Sequence, residues 1–319
     1  MVAGNHVRGY LESRLAEVTV VYDSNPSIAA ALAAQVGARV AESLADLAYS
    51  VEASSVCVPP GAHLEVCTPL LRAGVAVLCE KPFETTKPRA TRLLAEVQKT
   101  GTPLMVGFTQ RFYGPMLQAK KLIDRGVLGS PVLFKSSFGA NMDIRGGFRA
   151  DPEISGGGCL SDTASHSVDL FRWFMGEAVS VSAQTHAFTE GLEVEDFGVV
   201  KIQGGDGRCG LISATSYLPV FPNELEVICE NGILRLNYYT PGIPELSIQK
   251  SIGKPLQPVK VPAAPYKFAA QAREFLRCVR NGEPPTPGAV DGFENTRILS
   301  AAYESAKGSR TVLLNKAKT

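Results

Sequence analysis

The sequence predicts an α/β protein in which a doubly wound parallel sheet precedes an α+β domain with a large, mostly antiparallel open sheet. From residue 18 to residue 107, short β-branched runs alternate with longer helical segments, which is the pattern of βαβ units. Beyond residue 107 the expected strands follow one another with short turns, and Asn231-Gly232 between two apolar runs indicates a hairpin. We therefore expect two domains, at residues 1–107 and at residues 108–319.

Glycine, proline and capping residues mark the elements of the first domain. The run 18–22 is expected to be a strand, and the helix after it has Asn25 as its N-cap, Pro26 in its first turn and Gly37 at its end. A second expected strand, 55–58, stops at two prolines. The remaining expected elements are a helix at 63–73, strands at 75–79 and 104–106, and a helix at 88–99.

The second domain is expected to begin with a helix near 115–125 and to continue mainly as strands. One face of so large an antiparallel sheet has to be covered, because an apolar outer face would otherwise aggregate. We expect helices or a second subunit to cover it, and therefore a homodimer or homotetramer formed through this sheet. The expected strands are 132–138, 179–187, 197–202, 210–217 and 224–230.

The composition of the chain limits which kinds of molecule it is expected to bind. Thirty-two basic and 31 acidic side chains leave a formal net charge of +1, so neither nucleic acid nor an anionic membrane is an expected partner. Seven scattered cysteines without Cys-x-x-Cys spacing argue against a disulfide framework and against a zinc site, and we expect no metal. The first eight residues are too polar for a signal peptide, and no run reaches the length of a membrane span. We expect a cytoplasmic protein that acts on a small neutral molecule.

The beginning of the chain carries only part of a phosphate-binding turn. Such a turn has the pattern Gly-x-Gly-x-x-Gly after a strand, and here only Gly4 fits, as the middle glycine. We expect a truncated first strand, with Gly4, Asn5 and His6 near the cofactor. Asp23, at the end of the strand that follows, would accept hydrogen bonds from ribose hydroxyl groups, although it could instead only cap the next helix. Since no arginine follows Asp23, NAD is favoured over NADP.

Two segments follow strand ends at the carboxyl edge of the parallel sheet, where such sheets bind ligands. Pro59, Pro60 and His63 come after one strand, and we expect cofactor contacts there, although a histidine in a first helical turn is as often a packing residue. Lys81 follows the apolar run 75–79 and precedes a proline, which would bring its ammonium group to this edge. The alternative for Lys81 is an ordinary ion pair with a nearby glutamate.

A glycine run, 156–158, precedes an acid and a histidine. Asp162 and His166 are four residues apart and would be neighbours on one helix face. Alone, such an acid is usually a cap and such a histidine a core residue. Together with a lysine, they can remove the proton of an alcohol whose carbon loses hydride. Further candidate substrate or cofactor contacts are Gln110, Arg111, Phe112, Tyr113, Arg145 and Arg149. Each of the three arginines could equally be an ordinary surface charge.

These motifs together resemble the glucose-fructose oxidoreductase, inositol dehydrogenase and rhizopine catabolism (Gfo/Idh/MocA) family over essentially the whole chain. The segments that match, in the family's order and spacing, are 56–63, 79–83, 107–112 and 156–166. The resemblance implies a Rossmann domain that binds NAD or NADP. It also implies a C-terminal domain whose open sheet binds a sugar or cyclitol and pairs subunits.

The resemblance also implies roles for individual residues. Lys81 would be the lysine of the catalytic triad and polarise the reacting oxygen, Asp162 would be its acidic partner, and His166 would be the acid/base beside the reacting hydroxyl. Glu80 would help to hold the nicotinamide end, and the Lys81–Pro82 peptide bond would be cis. The cofactor contacts expected in total are Gly4, Asn5, His6, Asp23, Pro59, Pro60, His63, Glu80, Lys81 and Arg111. The expected substrate contacts are Lys81, Tyr113, Arg149, Asp162 and His166.

The sequence thus favours an NAD(P)-dependent oxidoreductase acting on a secondary hydroxyl or ketone of a sugar, amino sugar or cyclitol. Two alternatives stay open. One is a catalytically silent sugar or nucleotide sensor of the same fold, which the incomplete turn at Gly4 would suit. The other is an NAD-dependent glycosidase, in which transient oxidation at one carbon permits elimination of a neighbouring group.

Overall fold

The computed structural model of the protein describes residues 2–238, 241–251 and 253–314. The outermost residues of the two expected domains, Met1 and 315–319, lie outside these ranges. The chain forms two compact units, of which the first comprises Met1–Phe112 and Pro265–Glu294 and the second Tyr113–Ala264 and Asn295–Thr319. Residues 265–294 thus group with the N-terminal part of the chain, although a division at residue 107 assigns them to the second domain.

The first 112 residues alternate helices with short strands. The helices are α1 (Val2–Ser13), α2 (Pro26–Val36), α3 (Leu44–Ser50), α4 (His63–Arg72) and α5 (Lys87–Thr100). The strands are β1 (Val20–Val21), β2 (Arg39–Val40), β3 (Ala53–Val56), β4 (Ala76–Cys79) and β5 (Leu104–Val106). Single turns of 3-10 helix lie at Pro60–Ala62 and Thr109–Phe112.

The rest of the chain contains longer strands and fewer helices. Its helices are α6 (Gly114–Asp124), α7 (Pro152–Ser155), α8 (Ser165–Met175), α9 (Lys267–Asn281) and α10 (Ala289–Gly308). A 3-10 turn lies at Phe148–Ala150 and a π-helical turn at Leu160–Ala164. The strands are β6 (Pro131–Gly139), β7 (Ala178–His186), β8 (Phe197–Gly204), β9 (Cys209–Thr215), β10 (Glu224–Cys229), β11 (Gly232–Asn237), β12 (Leu246–Gln249), β13 (Gln257–Pro258) and β14 (Val312–Leu313).

All strand pairs of the first unit are parallel, as the alternating pattern predicts. β3, β4 and β5 form one sheet with β4 in the middle, whereas β1 and β2 form a separate two-stranded sheet. The capping signals of α2 are confirmed, because the Asn25 side chain accepts the Ser27 N–H, Pro26 begins the helix and Gly37 ends it with a φ of 70°. Strand β4 is buried at all four positions, so it runs through the middle of the core.

The start of the chain is helical, which corrects the prediction that Gly4 lies in a turn. Gly4 is in the first turn of α1, and the described residues contain no strand ahead of this helix. The buried residues of α1, His6, Gly9 and Ser13, share the face that packs against α9. A Cβ at Gly9 would lie 2.7 Å from the Phe268 carbonyl oxygen, so glycine permits this close approach.

The second unit contains one nine-stranded sheet in the order β13-β12-β11-β10-β6-β9-β8-β7-β14. Every neighbouring pair is antiparallel except β6 and β9. The predicted hairpin joins β10 to β11, and its turn consists of Glu230 and Asn231, with Gly232 paired to Cys229. Helix α8 packs on β6, where the rings of Phe134 and Phe171 meet edge to face at 5.9 Å.

The two faces of this sheet differ in burial. Along β9, Gly210, Ile212 and Ala214 are buried, whereas Leu211 between them is 46% exposed. The core side of the sheet is therefore closed by the unit's own helices, and its other side exposes Leu211, whose partners in register are Lys135 and Lys201. Among the described residues, no helix has the length and apolar character needed to cross a lipid bilayer.

Candidate active site

The segment Glu80-Lys81-Pro82 begins where the buried strand β4 ends. Glu80 is 6% exposed and Lys81 is half-buried. The Lys81–Pro82 peptide bond is cis, as the family resemblance implies. Phe83 is fully buried, and a Cβ at Gly292 would lie 2.6 Å from its ring. The buried neighbours on both sides of Lys81 thus fix where its main chain leaves the sheet.

Both oxygens of the Glu80 carboxylate have partners within the first unit. Oε1 lies 2.8 Å from Nε2 of His6, and Oε2 accepts the backbone N–H of Lys81 at 3.0 Å. A Cβ at Gly107 would lie 2.9 Å from Oε1, so only glycine leaves room for the carboxylate. The orientation of Glu80 is therefore set by α1, by the strand end and by the residue after β5.

His6 is buried between α1, β3 and the end of β4. Its Nδ1 lies 3.1 Å from the Ser55 hydroxyl, which also contacts the Tyr10 hydroxyl at 2.7 Å. Burial disfavours a charge on this ring, but Cys57 and Glu80 favour it, and together these influences raise the pKa of His6 to about 10. His6 is therefore an imidazolium at neutral pH and forms an ion pair with Glu80.

His63 packs inside the first unit, and its expected cofactor contact stays a prediction. It is fully buried, and its ring nitrogens lie 3.1 Å from the Val58 carbonyl oxygen and 3.3 Å from that of Phe83. Burial lowers the pKa of His63 and keeps the ring neutral. The neutral ring has one N–H, which can donate to only one of these two carbonyl oxygens, and it packs between the end of β3 and the segment after Pro82, the packing role that the sequence left open.

The remaining residues of the first unit that were expected to contact the cofactor lie at or next to the ends of helices and strands. Gly4 has no atom within 4 Å of the place where a Cβ would be, and the Asn5 side chain accepts a hydrogen bond from Tyr266. Asp23 follows β1, and its Oδ1 accepts the Asn25 N–H at 2.8 Å, so it does cap the turn before α2. Pro59 and Pro60 begin the 3-10 turn after β3.

Arg111 is buried and paired inside the first unit. Its guanidinium lies 3.0 Å from Asp291, whose other oxygen accepts the Gly288 N–H at 3.0 Å. This pair ties the 3-10 turn after β5 to the start of α10. In the second unit, Tyr113 donates a hydrogen bond to Glu245 at 2.5 Å. Arg145 pairs with Asp143 on the exposed surface, which is the surface-charge role that the sequence left open for it.

In the second unit, a buried glutamate holds the glycine run. Glu195 accepts the N–H groups of Gly158 and Leu160 and the hydroxyl of Tyr303, each at 2.9 Å. A Cβ at Gly157 would lie 2.0 Å from the Tyr303 hydroxyl oxygen, and one at Gly158 would lie 1.7 Å from the Glu195 carbonyl oxygen. No motif in the sequence points to Glu195 or Tyr303, apart from the glycine run that they require.

The glycine run leads into the turn that carries Asp162. This residue lies in the π-helical turn Leu160–Ala164, where the sequence predicted regular α-helix, and π turns are frequent at functional sites. Arg149 donates to Oδ2 of Asp162 at 3.0 Å, and the Asp162 N–H donates to the Gly158 carbonyl oxygen. His166 follows on α8, half-buried, and its ring centroid lies 6.3 Å from that of Phe138, edge to face.

A cleft on the second unit shares residues with the surroundings of Asp162. Met142 and Ser216 line both the small pocket beside Asp162 and a neighbouring open cleft of about 390 Å³. The cleft combines polar side chains with two stacked aromatic rings, which suits a molecule that carries many hydroxyl groups. The other residues that line it are Asn141, Asp143, Arg145, Phe188, Thr189, Glu190 and Tyr217. No group of three or more metal-binding side chains occurs in the part of the chain that the structure describes.

Comparison with known proteins gives two family matches and several relatives. Residues 1–108 match the oxidoreductase family with an NAD-binding Rossmann fold, and residues 116–235 match the GFO/IDH/MocA C-terminal domain. An inositol 2-dehydrogenase from Rhizobium meliloti is 24% identical over 96% of this chain and 94% of its own. A D-apiose dehydrogenase from Paraburkholderia graminis is 26% identical over 76% of this chain and 68% of its own. The structure of a levoglucosan dehydrogenase in complex with NADH superposes with a TM-score of 0.91, at 20% identity, over 99% of this chain and 97% of that one.

The close contact at Gly158 yields a stability prediction. In Gly158→Ala the new Cβ meets a backbone carbonyl oxygen that can move only if the main chain moves. We therefore expect the free energy of unfolding to fall by about 1–3 kcal/mol or more. Gly147→Ala is the matched control, since its nearest neighbour would be 3.6 Å away. Urea unfolding of both variants measures the difference, and equal stability of the two would contradict the packing described here.

The charge on His6 yields a pH prediction. The folded protein retains a proton on His6 up to about pH 10, whereas the unfolded chain loses it near pH 6.5. The charged His6 therefore stabilises the folded protein fully below about pH 6.5. As the pH rises to about 10, the free energy of unfolding declines by at most about 1.4 kcal/mol per pH unit. We expect the free energy of unfolding of His6→Gln, measured with urea at several pH values, to lack this decline. A constant difference between the two proteins would count against a charged His6.

Proposed function

This chain belongs to the Gfo/Idh/MocA family of NAD-dependent oxidoreductases, and on that premise we propose that it interconverts a secondary hydroxyl and a ketone on a sugar, amino sugar or cyclitol. The observation that carries this proposal is Lys81 at the carboxyl end of the fully buried strand β4. In the second unit, Asp162, with His166 after it, lies at the end of a glycine run held by Glu195.

The residues of the first unit fit a dinucleotide. The first turn of α1 has backbone N–H groups without helical partners, which favour a pyrophosphate, and Gly4 leaves open space beside them. The carboxylate of Asp23 at the end of β1 suits ribose hydroxyl groups, and no arginine follows it to favour a 2′-phosphate. When bound, NAD supplies the nicotinamide that accepts or donates hydride.

We propose a separate role in proton transfer for each of three residues. In the oxidative direction His166 accepts the proton of the substrate hydroxyl, and Lys81 polarises the hydroxyl oxygen. Asp162, held by Arg149, orients the transfer. General acid/base assistance of this kind contributes about 10²- to 10⁴-fold to the rate. Glu80 and its partners keep the main chain of Lys81 in place.

The substrate that we propose is uncharged and carries several hydroxyl groups. The relatives named above are dehydrogenases of inositol, D-apiose and levoglucosan. The cleft next to Asp162 offers donors, acceptors and aromatic faces, the groups with which a protein binds a polyol ring.

The test begins with calorimetric titration of NADH and NADPH, followed by a screen of cyclitols, aldoses, amino sugars and anhydrosugars. We expect NADH to bind more tightly than NADPH and at least one polyol to be oxidised. Lys81→Met and His166→Ala should each lower kcat by about 10²- to 10⁴-fold and leave the Kd for NADH nearly unchanged, because each acts in proton transfer. The controls are Lys87→Met and His186→Ala, which replace exposed residues.

The results of these experiments distinguish the oxidoreductase from the sensor and the glycosidase. NADH binding without turnover of any polyol would favour a sensor, and release of an aglycone without net NADH would favour a glycosidase. Loss of NADH binding with unchanged kcat in Lys81→Met or His166→Ala would contradict the assigned roles.

We also propose that the chain forms a homodimer or homotetramer through the exposed side of the nine-stranded sheet. Leu211 is at the middle of this side, paired in register with Lys135 and Lys201 on the neighbouring strands. A glutamate at 211 would lie between two lysines and should be tolerated in the isolated subunit. We expect Leu211→Glu to lower the mass measured by light scattering, and Val220→Glu, which is outside the strands, to leave it unchanged. A monomeric wild-type protein would contradict the proposal.

A further inference from the structure

We propose that His6 is a positioning residue, which through its hydrogen bond to Glu80 fixes the main chain of Lys81. This role deepens the proposed function and rests on it for its benefit to catalysis, but the contact itself can be tested without turnover. It replaces the expectation that His6 touches the cofactor. The side chain is 4% exposed, and both of its ring nitrogens are occupied by protein groups.

Four consecutive hydrogen bonds connect α1 and β3 to the lysine. The Tyr10 and Ser55 hydroxyls are 2.7 Å apart, and the Ser55 hydroxyl is 3.1 Å from Nδ1 of His6. Nε2 of His6 is 2.8 Å from Oε1 of Glu80, whose Oε2 accepts the Lys81 N–H at 3.0 Å. The series therefore runs from one helix, across a strand, to the residue assigned to proton transfer.

The position of the His6 ring is itself fixed by packing. Its edge meets the Phe268 ring of α9 at 5.4 Å, and Gly9 lets α1 approach the backbone of α9 at Phe268. The ring therefore presents Nε2 to Glu80 from a rigid helix pair, and not from a mobile surface side chain. Geometry held in this way suits a group that must orient another one.

Glu80 needs this partner because it is a buried carboxylate at a strand end. Strand β4 stops at Cys79; the Glu80 N–H still donates to the Val56 carbonyl oxygen at 3.0 Å, and the Lys81 N–H donates to the Glu80 side chain. A buried carboxylate without a positive or hydrogen-bonding partner is costly, and it would turn towards water. Loss of the His6 contact would therefore release the Glu80 side chain from the Lys81 N–H.

The experiment compares His6→Leu with His6→Gln. Leucine fills the space without a donor, whereas the amide N–H of glutamine lies near the place of Nε2 and can still donate to Glu80. The first readout is hydrogen exchange of the Lys81 amide by NMR, and the second is the Kd for NADH by calorimetry. The matched control is His186→Gln, an exposed histidine on β7 of the second unit.

We expect the Lys81 amide to exchange at least about tenfold faster in His6→Leu, with a Kd for NADH that is nearly unchanged, as in Lys81→Met, and we expect His6→Gln to recover most of the protection. His186→Gln should match the wild type. If His6→Leu does not fold, Ser55→Ala, which removes the hydroxyl that contacts both Nδ1 of His6 and the Tyr10 hydroxyl, should show the same faster exchange at about two- to fivefold.

Unchanged Lys81 exchange in a folded His6→Leu or Ser55→Ala protein would overturn the positioning role. So would failure of His6→Gln to recover any protection, since a purely structural loss of the imidazole predicts no rescue. If the wild type binds neither NADH nor NADPH, the proposed function fails, and the exchange rates still decide whether His6 positions Lys81.

Discussion

The buried carboxylate of Glu80 is the group around which the first unit is arranged. Strand β4 delivers it to a place where water is excluded, so its charge must be balanced by the protein. His6 provides that balance from α1, while Gly107 leaves the space. The helix at the start of the chain, the middle strand of the sheet and the residue after β5 thus satisfy one electrostatic constraint together. The direction of the Lys81 main chain depends on it.

The second unit also contains a buried carboxylate, which is stabilised by a different set of partners. Glu195 is also a buried carboxylate next to a segment with a proposed catalytic residue, but its partners are two backbone N–H groups and the Tyr303 hydroxyl. Burial raises the pKa of Glu195 because these neutral donors offset its charge only in part. In both units a buried acid holds the main chain beside a more exposed residue, Lys81 in the first unit and Asp162 in the second.

Local signals were sufficient for much of the fold. The Asn25 cap, the start at Pro26 and the stop at Gly37 concern hydrogen bonds within a single helix, so neighbouring residues decide them. The parallel sheet and the β10–β11 hairpin were also readable, because alternating apolar runs and an Asn-Gly turn are short-range patterns. Lys81, Asp162 and His166 stand out as candidates because glycine, proline and apolar runs frame them in the sequence.

What the sequence by itself determined was the class of fold, most element boundaries and the segments that resemble a dehydrogenase. Only the tertiary structure decided that His6 pairs with Glu80, 74 positions away, and that Tyr303 reaches Glu195 across 108 positions. It also grouped residues 265–294 with the first unit and made His63 a packing residue. Partners so far apart along the chain leave no local pattern, because burial and charge compensation are properties of the folded interior and not of neighbouring residues.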